Sequence, residues 1–289
     1  MRDMTTIHKP NLTPTYESVE VGPPLAQEYL KRNISNRAVR YGTVVAYTKA
    51  MTMGRWIANG PPITFDTNGN LIDGQHRLLA IIKSGITIRM MVCRYAPPES
   101  AKVIDTGMIK RMGDVMPMDD STVVYGSMRY LMAYESGIAR RPCSKLQPWE
   151  AEDILARHPI LPHFGRVGRR VGAQLGKGGL TAAPAAFLCY LIGAVRSEQS
   201  ERFLIQLETG VDLEEGSPVL AFRRAMMSGN TFRNKNHSIA ISAVARGIMA
   251  WNAFRAERSL TKIVWQGGRF PQADGSPVRV GVAIEDEEG

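Results

Sequence analysis

Apolar residues recur at helical spacing through most of the second half of the chain. They lie three or four positions apart in stretches that glycine-, proline- or arginine-rich segments separate, a pattern typical of amphipathic helices. The predicted helices cover residues 121–136, 148–157, 181–195, 198–208, 217–228 and 237–256. No repeat at a fixed period accompanies them, so the pattern predicts a helical domain rather than a solenoid.

The first third of the chain changes between helical and alternating patterns. Two short helical patterns lie within residues 25–58, whereas residues 63–66 and 87–94 alternate and are rich in strand-forming residues. Between these two strands, an apolar pattern predicts a helix over 75–83 that ends at Gly85, a residue suited to a helix C-terminus. The order of elements predicts a small mixed sheet with helices.

Together, these patterns predict an α+β protein in four parts. The parts are an extended N-terminal arm over 1–24, a small mixed-sheet domain over 25–118, a mostly α-helical domain over 119–262, and a C-terminal extension with an acidic tail over 263–289. Within the extension, the β-forming residues 263–265 predict one late strand.

The charge balance points towards phosphate-rich partners. With 36 lysines and arginines against 27 aspartates and glutamates, the formal net charge is +9. Such a surface favours DNA, RNA or nucleotides as partners, although a basic surface that serves only solubility is the alternative.

The cysteines and the N-terminus predict a cytoplasmic protein. Cys93, Cys143 and Cys189 lie far apart and form neither a CxxC pair nor a metal-binding spacing, so we expect reduced thiols. No run of about 18 apolar residues predicts a transmembrane helix, and no apolar segment follows the first residues as in a signal peptide. We therefore expect no membrane partner.

One short segment contains more potentially reactive side chains than any other part of the chain. It is Asp73-Gly74-Gln75-His76-Arg77, which follows an Asn-Gly hairpin turn and begins the helix over 75–83. Free backbone N–H groups at a helix start attract anions, and glycine lets a phosphate approach closely. Arg77 can grip two phosphate oxygens, while Asp73 and His76 are candidates for acid–base catalysis. Asp73 is also a candidate metal ligand, and a plain helix cap at Asp73 is the alternative.

This segment resembles the signature of the ParB/sulfiredoxin-like superfamily in its Asp-Gly-x-His-Arg version, and it looks most like phage-encoded ParB-like proteins. Residues 69–72 before the motif and 103–107 after it support the resemblance, which covers about residues 40–116. The superfamily includes CTP-binding partition proteins, ATP-using sulfiredoxins and kinases of free serine. The same string also resembles regulators of DNA phosphorothioation.

The resemblance implies a nucleotide pocket at the turn. It places Gly74, Gln75, His76 and Arg77 against the phosphates, and it places Asp73 where catalytic members have an acidic or polar group. No cysteine lies between Gly74 and Arg77, which excludes the thiol chemistry of sulfiredoxin. The arginine-rich version of the motif found in partition proteins is missing too, which argues against a DNA-sliding clamp.

A second polar constellation follows the motif. Asp105 and Thr106, with Gly107, can place a carboxylate and a hydroxyl beside a phosphate, and Lys110 and Arg111 add two cations. Asp105 is a second candidate metal ligand. The alternative is a turn that ends a helix, with Lys110 and Arg111 in solvent.

Basic residues accumulate in the helical half of the chain. Two segments are candidate nucleic-acid contact loops, 165–170 and 231–237, with the contacts assigned to Arg166, Arg169, Arg170, Arg233 and Lys235. A scattered, solvated basic surface is the alternative, because no helix-turn-helix or aromatic RNA-binding motif is present.

The leading hypothesis is a phage ParB/sulfiredoxin-like protein that binds a nucleoside triphosphate, with Mg²⁺ as a candidate partner ion, and acts on or beside DNA. If it is an enzyme, phosphoryl or nucleotidyl chemistry in DNA modification is the expected class, because positioning and charge neutralisation carry most of that catalysis. The first alternative is a non-enzymatic DNA-binding regulator or partition-like factor. A nuclease is a further alternative that the lack of an evident acidic metal cluster disfavours.

Overall fold

The computed structural model describes residues 13–34, 36–58, 61–102, 104, 112–137, 139, 146–228 and 239–281. They belong to two units, Met1–Ile109 and Lys110–Gly289. A four-stranded mixed sheet lies in the first unit and the second unit is helical, which confirms the predicted α+β class. The chain passes between the units at residues 109 and 110, whereas the hydrophobic pattern placed this boundary between 118 and 119.

The first unit alternates strands and helices. In chain order its elements are β1 (Thr15–Val21), α1 (Pro23–Leu30), α2 (Tyr41–Thr52), β2 (Ile63–Asp66), β3 (Leu71–Asp73), α3 (Gln75–Ser84), β4 (Ile88–Ala96) and a 3₁₀ turn (Pro98–Lys102). The sheet order is β1-β4-β2-β3, in which β4 pairs antiparallel with β1 and parallel with β2, and β2 pairs antiparallel with β3.

The N-terminal segment differs from the expected arm. Residues 15–21 are extended as predicted, but they pair with β4 over the whole of β1, from Thr15 opposite Arg94 to Val21 opposite Ile88. They are therefore an edge strand of the sheet. Only the last residue of β1 is buried, which explains why its sequence carries no alternating apolar signal.

The hairpin and the helix that follow it form as the sequence predicts. The Asp66 carboxylate accepts hydrogen bonds from the N–H groups of Asn68 and Asn70, each at 2.8 Å, and Gly69 takes a positive φ of 81° in the turn. Helix α3 ends at the left-handed Gly85. Its apolar face buries Leu78 completely in a core with β2, β4, α1 and α2.

The second unit contains the helices α4 (Met112–Val115), α5 (Ser121–Glu135), α6 (Pro148–Arg157), α7 (Phe164–Leu175), α8 (Ala182–Gly193), α9 (Glu198–Thr209), α10 (Pro218–Met227) and α11 (Ile239–Arg255). All six helices predicted from the apolar pattern are present. Helix α8 is the centre of the unit, since every residue from Pro184 to Ile192 is buried.

Helix α7 corrects the expectation of a basic contact loop over 165–170. Its three glycines occur at spacings of three and four, so they share one helix face. A Cβ on Gly168 would lie 2.5 Å from Ala186 Cα, and one on Gly172 would lie 2.7 Å from Ala182 Cα. The glycines therefore let α7 and α8 approach closely, and this tertiary contact outweighs the low helix propensity of glycine.

The C-terminal segment is part of the helical core. No strand forms at 263–265, and residues 270–278 instead pack along α11. The Trp251 indole N–H donates to the carbonyl of Asp274 at 2.9 Å, and the Asn252 amide donates to that of Gln272 at 2.8 Å. These bonds tie the segment as far as Gly281 to the second unit.

Within the described part of the chain, no single helix combines the length and the apolarity that a membrane span needs. Only one pair, Leu161–Gly178 with Ala182–Gly193, passes that test jointly, and it is bent by 117°.

The close crossing of α7 and α8 predicts opposite effects of two glycine substitutions. Gly168→Ala lowers the free energy of unfolding by about 1–3 kcal/mol, because the new methyl group meets the α8 backbone. Gly176→Ala is the matched control, since its φ is −63° and its Cβ would be 3.7 Å from Thr181 Cγ2. We expect that control to be neutral or slightly stabilising in urea unfolding followed by circular dichroism. Equal stability of both variants would show that α7 and α8 do not pack this closely.

Candidate functional site

The polar motif surrounds a sharp turn between β3 and α3. Gly74, the residue before the helix, has a left-handed φ of 107°, and a Cβ there would lie 3.1 Å from Ile63 Cγ1. Both constraints favour glycine. Its carbonyl accepts from the N–H groups of Arg77 and Leu78, and glycine has no side chain with which to cap the start of α3. The first-turn N–H groups have no acceptor inside the helix, so they provide a positive pole for an anion.

Arg77 is largely buried and holds the chain before β2. Its Nη2 atom donates to the Asp73 carboxylate at 2.9 Å and to the Pro62 carbonyl at 2.8 Å, while Nη1 donates to the Pro61 carbonyl. Asp73 therefore forms an ion pair within the motif rather than the predicted helix cap. The guanidinium already has three protein acceptors, so its first role is to position the turn.

Gln75 and His76 hold the segment between α1 and α2. The Gln75 amide donates to the Arg37 carbonyl at 2.8 Å and accepts from the Asn33 amide at 3.2 Å. His76 Nε2 accepts from the Arg40 backbone N–H at 2.9 Å, which assigns the proton of the neutral ring to Nδ1. Both side chains are buried, with exposures of 4% and 8%.

The structure thus brings all five motif residues together, but it gives their side chains protein partners. A carboxylate fixed by an arginine and an imidazole fixed by a backbone amide are poorly placed for proton transfer to a ligand at these atoms. The first-turn N–H groups of α3 have no acceptor inside the helix, and the charge that they favour is that of an anion.

A cavity of about 260 Å³ lies beside Arg77 in the first unit. Its walls include Trp56, Met90 and Arg89, and the indole of Trp56 packs edge-on against Tyr47 with ring centroids 5.2 Å apart. Arg89 forms an exposed ion pair with Glu20 at 2.7 Å. The sequence pattern placed Trp56 in a helical segment and Arg89 in a predicted strand, and only the fold brings these distant positions together.

The predicted DNA-contacting arginines of α7 differ in their environments. Arg169 forms an ion pair with Asp120 at 2.6 Å, and Arg170 forms one with Glu208. Hydrogen bonding to Glu208 raises the pKa of Arg170. Arg166 is exposed, and no described residue forms an ion pair with it. Arg166 therefore offers the most available charge of the three.

The remaining predicted site residues fall outside the described part of the chain: Asp105, Thr106, Lys110, Arg111, Arg233 and Lys235. Among the residues that are described, no three histidine, cysteine, aspartate or glutamate side chains form a group suited to a metal ion. Asp73, paired with Arg77, does not by itself fit a protein-held Mg²⁺, which prefers several oxygen ligands.

Comparisons with protein-family models, curated proteins and solved structures found no match to this chain. The resemblance of residues 73–77 to the ParB/sulfiredoxin-like signature therefore stays an interpretation of the motif, and the geometry of the site carries the functional argument.

The buried bonds of Arg77 predict that it contributes more to stability than a surface arginine does. Arg77→Met keeps the aliphatic stem but leaves the Asp73 carboxylate and two carbonyls without their donor, so unfolding free energy falls by about 1–3 kcal/mol. Arg89→Met removes only an exposed ion pair and changes the free energy of unfolding by less than about 1 kcal/mol. Urea unfolding of both variants measures the difference. A cost for Arg77→Met no larger than that for Arg89→Met would contradict the positioning role.

Proposed function

We propose that the first unit is a ParB/sulfiredoxin-like nucleotide-binding domain, whose ligand places its phosphates at the start of α3 and its base in the cavity beside Arg77. The observation that supports this most is the turn at the left-handed Gly74, which starts α3 and places Arg77 at a cavity with an aromatic wall and a second arginine.

The phosphate end of the ligand meets the backbone amides of the first turn of α3. A helix N-terminus favours negative charge through its dipole and its free N–H groups. Arg77 fixes the conformation of the surrounding chain through its protein partners. The positive charge that can move to contact the ligand therefore comes from Arg89, whose side chain is 74% exposed. Arg89 can exchange its contact with Glu20 for a phosphate oxygen, since the surface ion pair costs little to break.

The base lies against Trp56. Base–aromatic stacking tolerates any base, because every base has a π-face. The cavity of about 260 Å³ is at the small end of ligand pockets, which suits a base and part of a ribose, with the phosphates outside it.

Binding is better supported than catalysis. The Asp73 carboxylate and His76 Nε2 have protein partners, so the acid–base roles first assigned to them have no obvious path to a ligand. The proposal contains no step through a metal ion. This observation favours the non-enzymatic reading, a regulator whose DNA interaction depends on nucleotide, over phosphoryl or nucleotidyl transfer. Phage origin, a role in DNA modification and a cytoplasmic location are proposals that rest on the motif's resemblance and on composition.

Calorimetric titration of the full chain with ATP, CTP and GTP tests the pocket. We expect saturable binding of at least one nucleotide, weakened about tenfold by Arg89→Ala through the loss of one charge-assisted contact, and weakened also by Trp56→Leu. Glu20→Gln is the matched control, since it breaks the same surface ion pair but keeps the arginine. We expect this control to bind as well as the wild type or better. Absence of binding to every nucleotide would refute the proposal, and equal losses in Arg89→Ala and Glu20→Gln would remove Arg89 from the site.

Binding of duplex DNA across a salt series tests the second part of the proposal. Phosphate contacts make log affinity fall linearly with log salt, and one lost contact reduces the slope by about 1. We expect that reduction for Arg166→Ala and none for Arg170→Ala, because Glu208 already pairs with Arg170. A wild-type affinity that does not change with salt would remove DNA as a direct partner.

A further inference from the structure

A second cavity, of about 470 Å³, lies in the helical unit and belongs to no function proposed above. Its walls come from the ends of α5 and α6, from α8, and from the C-terminal segment 277–281. It differs from the rest of the unit's apolar interior because four ionisable side chains and a tyrosine hydroxyl line it. These are Glu135, Arg157, His158, Tyr190 and Arg279.

Three of these side chains form a continuous hydrogen-bonded chain. His158 Nδ1 lies 2.6 Å from the Tyr190 hydroxyl, and His158 Nε2 lies 3.0 Å from Glu135 Oε1. The imidazole therefore has a carboxylate on one side and a phenol on the other. His158 Nε2 also lies 3.0 Å from Arg157 Nη1, so the side chains of Glu135, Arg157, His158 and Tyr190 form one connected polar cluster.

The protonation of the two ends of the chain is well defined. Burial raises the pKa of Tyr190 to about 12, so its hydroxyl keeps its proton at neutral pH. Burial acts to raise the pKa of Glu135, but hydrogen bonds from His158 and Arg157 outweigh it and hold that pKa below its ordinary value. Glu135 is thus a fixed negative charge that can balance a cationic imidazole.

The charge on the cavity wall favours an anion. Arg157 is about half exposed and shares Glu135 Oε1 with His158, at 2.8 Å. Arg279 is exposed on the opposite, C-terminal segment, and no described residue forms an ion pair with it. Two arginines against one glutamate leave a net positive wall even when His158 is neutral.

We propose that this cavity binds a small oxyanion, a carboxylate or a phosphate, between Arg157 and Arg279. Both guanidinium groups donate to the anion, and the Tyr190 hydroxyl on the same cavity wall is a further donor. No covalent bond forms or breaks.

Calorimetric titration of the full chain with inorganic phosphate and, separately, with succinate tests the proposal. Each titration is carried out at pH 7. We expect saturable binding of at least one probe. The probe that binds more tightly identifies the class of anion.

Three variants connect this binding to the cavity. Arg279→Gln is expected to weaken binding about tenfold, whereas Arg258→Gln, which removes one exposed charge after α11, is the matched control and leaves it unchanged. Tyr190→Phe removes one donor from the cavity wall and is also expected to weaken binding.

Absence of binding of both probes would overturn the proposal. Equal effects of Arg279→Gln and Arg258→Gln would do the same, because they would indicate only a general attraction to a basic protein. If Tyr190→Phe does not fold, the exposed Arg279→Gln variant still decides the outcome.

Discussion

The turn at Gly74 is the constraint on which the first unit depends. A strand must end and a helix must begin within one residue, against the side chain of Ile63, and a left-handed glycine satisfies both requirements. Once α3 starts there, Arg77 reaches the carbonyls before β2, and Gln75 and His76 reach the segment before α2. One backbone conformation therefore organises three parts of the chain around the same helix start.

The same turn explains why a motif rich in reactive side chains looks more like a binding site than a catalytic one. Buried polar groups need hydrogen-bond partners, and those of the motif find them in neighbouring backbone groups and in each other. The turn also places Arg77 at the wall of a cavity that has an aromatic side. This geometry supports a function in which the motif side chains fix the conformation of the turn, more than one in which their own atoms react with a ligand.

In the helical unit, too, some polar side chains that a functional reading would select serve mainly to hold the structure together. Arg169 pairs with Asp120, the residue before α5, and Arg170 pairs with Glu208 on α9, so both arginines connect α7 to other parts of the unit. His158, by contrast, looks unremarkable in the sequence, since it has no partner at a recognisable spacing. Its neighbours Glu135 and Tyr190 come from helices far away along the chain, and only their packing assembles a polar chain inside a cavity.

The sequence by itself determined the elements whose signals are local. Apolar periodicity located six of the helices, Asn68-Gly69 located the hairpin, and the motif located the start of α3, because spacing, turn residues and caps act within a few residues. Only the tertiary structure decided the rest. Helix α7 forms because its glycines fit against α8, and residues 15–21 become a strand because β4 offers its edge. The partners of Arg77 and the residues that line both cavities likewise depend on contacts between distant positions, which no local pattern encodes.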